Sequence, residues 1–197
     1  MALSRDAIGD AALRLVQAAG LSSLSMRGVA TELHVAPGAL YWHVDSKQEL
    51  LALLAERILA APPFADGAGA ARTAQTLAVD LRDSLLAVRD GAEIVSFSRA
   101  LHPDAPVPLQ PFRAVLSRVL PEREADWAAR TLVHFVLGSV AEQQNHAELA
   151  RAGIRGGRDA GGAAETARPP GEFEDESARA AFTYGVDAIL RGAGAGG

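Results

Sequence analysis

Apolar residues recur at spacings of three and four along nearly every segment of this chain, and no segment alternates apolar with polar residues. The first pattern lays one apolar stripe along an α-helix, and the second is what a half-buried strand needs. The spacing therefore predicts an all-α fold of about nine or ten helices. The first, over residues 4–20, carries Ile8, Ala11, Ala12, Leu15, Val16 and Ala19, with Ser4 as N-cap and Gly20 as the stop. Ser25 caps a second, short helix carrying Val29, Ala30 and Leu33. Pro37 opens a third, since proline is tolerated at the first helical position. Ser46-Lys47-Gln48-Glu49 is a capping box opening a fourth, which ends at Pro62-Pro63. Further helices are expected over 72–90, 92–101, 112–120, 122–151 and about 175–191. Residues 153–172 lack periodicity and read as mobile, as does the Gly/Ala tail 192–197.

Composition narrows what such a fold can do. The 197 residues include no cysteine, which excludes disulfides, zinc ribbons, iron–sulfur ligation and thiol catalysis, and fits a reducing cytosol. A net charge of −5 disfavours a bulk polyanion binder, so any nucleic-acid site has to be local. No run of 18 uncharged apolar residues and no signal peptide is seen, so no membrane partner is expected and the protein is expected to be cytoplasmic. Walker-A, G-x-S-x-G and H-E-x-x-H motifs are absent, and the glycine-rich stretch at 153–162 follows no strand. An enzyme is disfavoured, and no cofactor is expected.

Three short helices in about 45 residues, with a tight break before the third, have the geometry of a helix-turn-helix. The second helix of such a pair enters the major groove. Pro37, Gly38 and Ala39 are small enough for close approach, and Leu40 and Val44 hold the helix to its neighbours. Tyr41, Trp42 and His43 stand where a solvent-facing helix carries Glu, Lys or Gln. Tyr41 and His43 can donate to phosphates or bases, and Trp42 can pack on sugars or a thymine methyl. The competing reading places Tyr41 or Trp42 in the core.

The stretches Ser25-Met26-Arg27-Gly28-Val29-Ala30 and Leu33 through Leu51, with Leu40-Tyr41-Trp42-His43-Val44 at their centre, resemble the DNA-binding domain of the TetR family. The likeness continues at Arg89-Asp90-Gly91-Ala92, at 134–140 and at 142–146, and leaves out 61–75 and 153–172. It implies a homodimeric transcriptional regulator, usually a repressor, released from a near-palindromic double-stranded operator by a small-molecule effector. It divides the chain into a DNA-binding domain, 1–46, and a regulatory and dimerisation domain, 47–191. It also implies DNA contacts from Arg27, Pro37, Gly38, Ala39, Tyr41, Trp42, His43 and Lys47. Ala36, Pro37 and His34 depart from the family's polar cap, base-reading Gln and turn Gly.

The resemblance further implies an effector pocket lined by Leu77, Leu81, Leu85, Val95, Phe112, Leu116 and Phe135, with Ser98, Arg99, His102, His134 and Glu142 to orient a ligand. Members that hold a magnesium–tetracycline chelate use His, Asn and Thr side chains. The corresponding positions are Leu77, Leu81 and Val95, with Ser98 for the Thr and Pro62-Pro63 for a further His. A largely apolar effector and no metal are therefore expected. Glu142 and His146, at i and i+4, have a chelating spacing but read as an ordinary helix pair. Dimerisation is expected through 122–151 and 175–191, on Leu132, Val136, Val140, Ala181, Phe182, Gly185 and Ile189. The rival readings are a helical ligand-binding or dimerising protein without specific DNA binding, and an activator of the same fold.

Overall fold

Three serines start three of the first four helices, because each supplies the acceptor that an orphan first-turn N–H lacks. Ser4 Oγ accepts from the Ala7 N–H at 3.1 Å, Ser25 Oγ from Gly28 at 3.0 Å and Ser46 Oγ from Glu49 at 3.1 Å. The resulting helices are α1 (Arg5–Ala19), α2 (Met26–Glu32) and α4 (Lys47–Leu59), with α3 (Pro37–Leu40) between the last two. A 3₁₀ turn, Leu21–Ser23, follows α1. The remaining helices are α5 (Ala74–Leu86), α6 (Gly91–Leu101), α7 (Leu109–Leu116), α8 (Glu122–Arg151) and α9 (Glu172–Gly192). This computed structural model describes residues 3–60, 73–103, 107–154 and 172–195, and among them there is no strand. None of the described helices is long and apolar enough to cross a membrane.

Some boundaries differ from the expectation, each for a local reason. The third helix is a single turn with no side-chain cap, because Ala36 offers no acceptor; Tyr41–His43 continue it as turns. The helix expected over 112–120 begins at Leu109, since Pro111 falls in the first turn, where its missing N–H has no intrahelical partner to lose. The helix expected to reach residue 90 stops at Leu86, and Asp90 turns the chain in a left-handed conformation (φ 57°). At the C-terminus, α9 runs through Gly192, and the Ala195 N–H bonds the Leu190 carbonyl at 2.9 Å. Residues 192–195 thus close a helix instead of forming a loose tail. The stretch expected to be mobile lies, from 155 to 171, outside the described residues.

One apolar core runs through the molecule, from Ile8, Ala12 and Val16 of α1 through Leu50 and Leu54 of α4 to Leu132, Val136 and Val140 of α8. Burying each leucine contributes about 1.5–3 kcal/mol relative to an exposed one. The joint between α4 and α6 is the most extensive helix contact, and α8 packs on α5, α6, α7 and α9. Helices α4 and α6 therefore connect the three-helix unit at the N-terminus to the bundle behind it.

Candidate nucleic-acid interface and effector region

Leu40 and Val44 are fully buried, and the third helix packs on α2. The side chains between them point the other way: Tyr41 is 51% exposed and Trp42 88%. An indole exposed to that degree forgoes most of its burial, so the core reading of Trp42 fails on the geometry. Arg27, Pro37, Gly38 and Lys47 are exposed, and Ala39 and His43 are half-buried. His34 turns the chain before α3 with φ 56°, the conformation for which glycine is the usual residue. Backbone bonds from Val35 to Ala30 and from His34 to Thr31 hold that turn.

The loop after residues 37–43 is tied by groups that periodicity does not single out. Arg5 donates to the His43 carbonyl at 3.0 Å and pairs with Glu49. Glu49 accepts the Asp45 N–H at 2.7 Å, so its carboxylate caps the residue before Ser46 and not Ser46 itself. That backbone bond, then Arg5, lowers the Glu49 pKa below the usual carboxylate range. Arg57 of α4 reaches Asp10 at 2.5 Å and Asp6 at 3.0 Å, clasping α4 to α1. Lys47 is thereby held at the start of α4, exposed, six residues after Tyr41.

The expected effector-lining residues separate into two groups. Leu77, Leu81, Leu85, Val95, Phe112 and Leu116 are buried together in the core between α5, α6 and α7. Phe135 is half-buried and stacks on Phe182 of α9 with ring centroids 5.6 Å apart. The two helices come this close because Gly185 faces Phe135, where a Cβ would lie 2.2 Å from the ring. The polar members sit at the margin. Ser98 and Arg99 are half-buried in the last turn of α6, and His102 and Glu142 are exposed. His134 is exposed on α8; partial burial is nonetheless the first cause lowering its pKa, followed by Arg99 and Arg130. Burial, then Arg130, lowers the Arg99 pKa as well, so the Arg99 and Arg130 charges act on this margin of α6 and α8. Glu142 lies eight residues beyond His134, about 12 Å along α8, and belongs to a different level of the bundle.

A polar joint links the two parts. Gln17 of α1 donates to the Ala87 carbonyl at 2.9 Å and accepts the Arg89 N–H at 3.2 Å. Arg89 donates to the Ala18 carbonyl at 3.2 Å and pairs with Glu148 of α8 at 2.5 Å. Asp90 accepts the Leu21 N–H at 2.6 Å. From the other side, Gln144 of α8 donates to the Leu85 and Val88 carbonyls at 3.1 and 2.8 Å. The turn between α5 and α6 is thus held by α1 on one flank and α8 on the other.

Residues 8–54, from the first buried isoleucine of α1 to Leu54 of α4, match the model of the bacterial regulatory proteins of the tetR family. The class G tetracycline repressor of Vibrio anguillarum is 30% identical over 198 residues, covering 96% of this chain and 93% of that protein. The chain belongs to the TetR family. A variant of TetR from Acinetobacter baumannii AYE in complex with minocycline superposes with a TM-score of 0.74 at 29% identity, covering 97% of this chain and 96% of that one. BioQ with its double-stranded DNA operator superposes with a TM-score of 0.65 at 32% identity, over 78% of this chain and 94% of that one.

The TetR-family bundle corrects one assignment. Leu132, Val136, Val140 and Phe182, expected to face a partner subunit, are buried inside the single chain. Helices α8 and α9 pack on each other and on α5, and that packing takes up their strongest apolar stripes. The stripe left outside carries Trp127, Thr131, His134 and Gly138 on α8, and Ala181, Tyr184 and Ala188 on α9. Trp127 is 53% exposed and Tyr184 70%.

Proposed function

We propose that this TetR-family regulator is a homodimeric repressor. It binds a near-palindromic duplex operator through α2, α3 and the start of α4, and a small, largely apolar effector releases it. Residues 1–46 serve as the DNA-binding part and 47–191 as the regulatory and dimerisation part. Two copies pair through the outer stripes of α8 and α9, and the two-fold axis then sets the half-site spacing. The reading assigns regulation and no catalysis, and its DNA partner places the protein in the cytoplasm.

The observation that carries this reading is the contrast between buried Leu40 and Val44 and exposed Tyr41 and Trp42 on one short segment. Large aromatic surface left in water, beside the exposed Lys47, marks an interaction face. Base and sugar contact suits the rings, and phosphate suits the lysine and Arg27. The apolar character of the effector is supported by Leu77, Leu81, Val95, Phe112 and Leu116, which offer hydrocarbon only.

Tyr41→Ala and Lys47→Ala test the interface. Each is expected to weaken operator binding by about 1–3 kcal/mol at unchanged dimer content. Lys47→Ala is also expected to lower the salt dependence of binding, because one phosphate contact is lost. Unchanged gel-shift affinities for both variants contradict the proposal. Transcription in vitro from the bound promoter separates repression from activation.

A further inference from the structure

We infer that the outward face of residues 36–39 reads thymine methyl groups in the major groove, and that hydrogen-bond readout comes from the flanks. This rests on the reading of that face as the DNA surface and adds the chemistry of the sequence it selects. Ala36, Pro37, Gly38 and Ala39 carry no polar side-chain atom, and Pro37 has no N–H either. Ala36, Pro37 and Gly38 are exposed and Ala39 half-exposed, so these apolar groups lie at the surface. In the major groove the C5 methyl of thymine is the one base-edge feature that hydrocarbon can recognise. Donors stand to either side, at Arg27 on α2 and at Tyr41, while the Thr31 hydroxyl gives its proton to the Arg27 carbonyl at 3.0 Å.

Gly38 supplies a second, independent observation. A Cβ added there would meet nothing within 4 Å, and its φ lies outside the left-handed range. Neither packing nor backbone conformation of the protein requires glycine at this position, and glycine is disfavoured against alanine inside a helix. The bare backbone at Gly38 leaves room for a base edge to approach closely. Leu40, fully buried on the opposite side, keeps that bare surface pointing outward.

The test uses the full-length protein and a pool of random-sequence duplexes from which the operator is selected. Thymines of the recovered half-site are then replaced singly by deoxyuridine, which removes only the methyl group. At the positions facing residues 36–39, affinity is expected to fall about fourfold per methyl, the transfer free energy of one buried CH₂-sized group. Ala39→Gly is expected to shrink the thymine-to-uracil discrimination at one position. Gly38→Ala is expected to melt at the same or a higher temperature while binding the operator several-fold more weakly, opposite signs that a merely structural role does not give. A selected operator bound equally well with uracil at every position, or by Gly38→Ala, overturns the inference and leaves the regulator reading intact. A pool from which no sequence is enriched overturns both.

Discussion

Residues 3–60 carry their candidate contacts at or near the surface, whereas the described residues from 73 onward seal the hydrocarbon half of theirs inside. In the first part, Trp42 is 88% exposed two positions from fully buried Leu40, and capped helix starts and the Arg5–Glu49 and Arg57–Asp10 pairs fix the frame around it. In the second, Leu77, Leu81, Val95 and Phe112 are sealed in the core. The two parts therefore meet their partners differently. A DNA surface can be preformed and rigid. An effector that reaches a close-packed interior has to displace side chains and shift helices, because such cores are bistable and not continuously deformable. On the proposed reading, effector binding and rearrangement are one event in the regulatory part, and α4, α6 and the Gln17–Arg89–Glu148 joint are the elements through which it would reach the DNA surface.

The largest expected effect comes from exchanging the roles within the recognition segment. Leu40→Ala is expected to destabilise the protein by about 2–5 kcal/mol in denaturant unfolding, as a fully buried leucine does. Trp42→Ala is expected to leave stability within about 0.5 kcal/mol while weakening operator binding. Equal destabilisation by both would erase the contrast between the two faces.

The joint comes next. Arg89→Ala removes the bridge from the Ala18 carbonyl to Glu148, and the variant is expected to bind both operator and effector. Its operator release at saturating effector is expected to be weaker by a substantial part of a typical 1–3 kcal/mol coupling energy, roughly. Unchanged release, measured by fluorescence anisotropy of labelled operator, would place the coupling in α4 and α6 alone.

The smallest effect belongs to His134. Its pKa is lowered by partial burial, Arg99 and Arg130, so the folded state holds the proton less well than the unfolded chain, whose histidine titrates near 6.5. Stability is therefore expected to fall as pH drops through that value toward the lowered one, and to be retained above it. His134→Gln should flatten melting temperature between about pH 7.5 and about pH 5.5. A variant with the same slope as the parent would show that neither burial nor the two arginines shifts this histidine.

The helices were legible because each begins with its own signal: Ser4, Ser25, Ser46 and Pro37 mark four starts, and three- and four-residue spacing marks the buried faces. The exposed face at Tyr41 and Trp42 was legible because aromatic side chains stood where charged ones belong. Periodicity identifies a helix's apolar stripe but not which neighbour covers it, so Leu132, Val136, Val140 and Phe182 could not be divided between intramolecular and intersubunit packing. The joint left no pattern at all. Gln17 and Arg89 lie 72 positions apart and meet mainly through backbone groups, which every residue carries. Glu49 was seen as a capping residue, but its pairing with Arg5 depends on how α1 crosses α4, which no local spacing encodes.

On the proposed reading a preformed DNA surface is released by an effector entering a hydrocarbon-lined core. Anisotropy of a labelled, selected operator tests it in two titrations. One uses tetracycline with Mg²⁺, and the other a panel of apolar aromatic and polyketide-like compounds in the presence of EDTA. The account predicts release by a member of the apolar panel without metal, and none by tetracycline, because Leu77, Leu81 and Val95 leave a buried chelate without polar partners. Release by tetracycline that EDTA abolishes, with no response to the apolar panel, would contradict it.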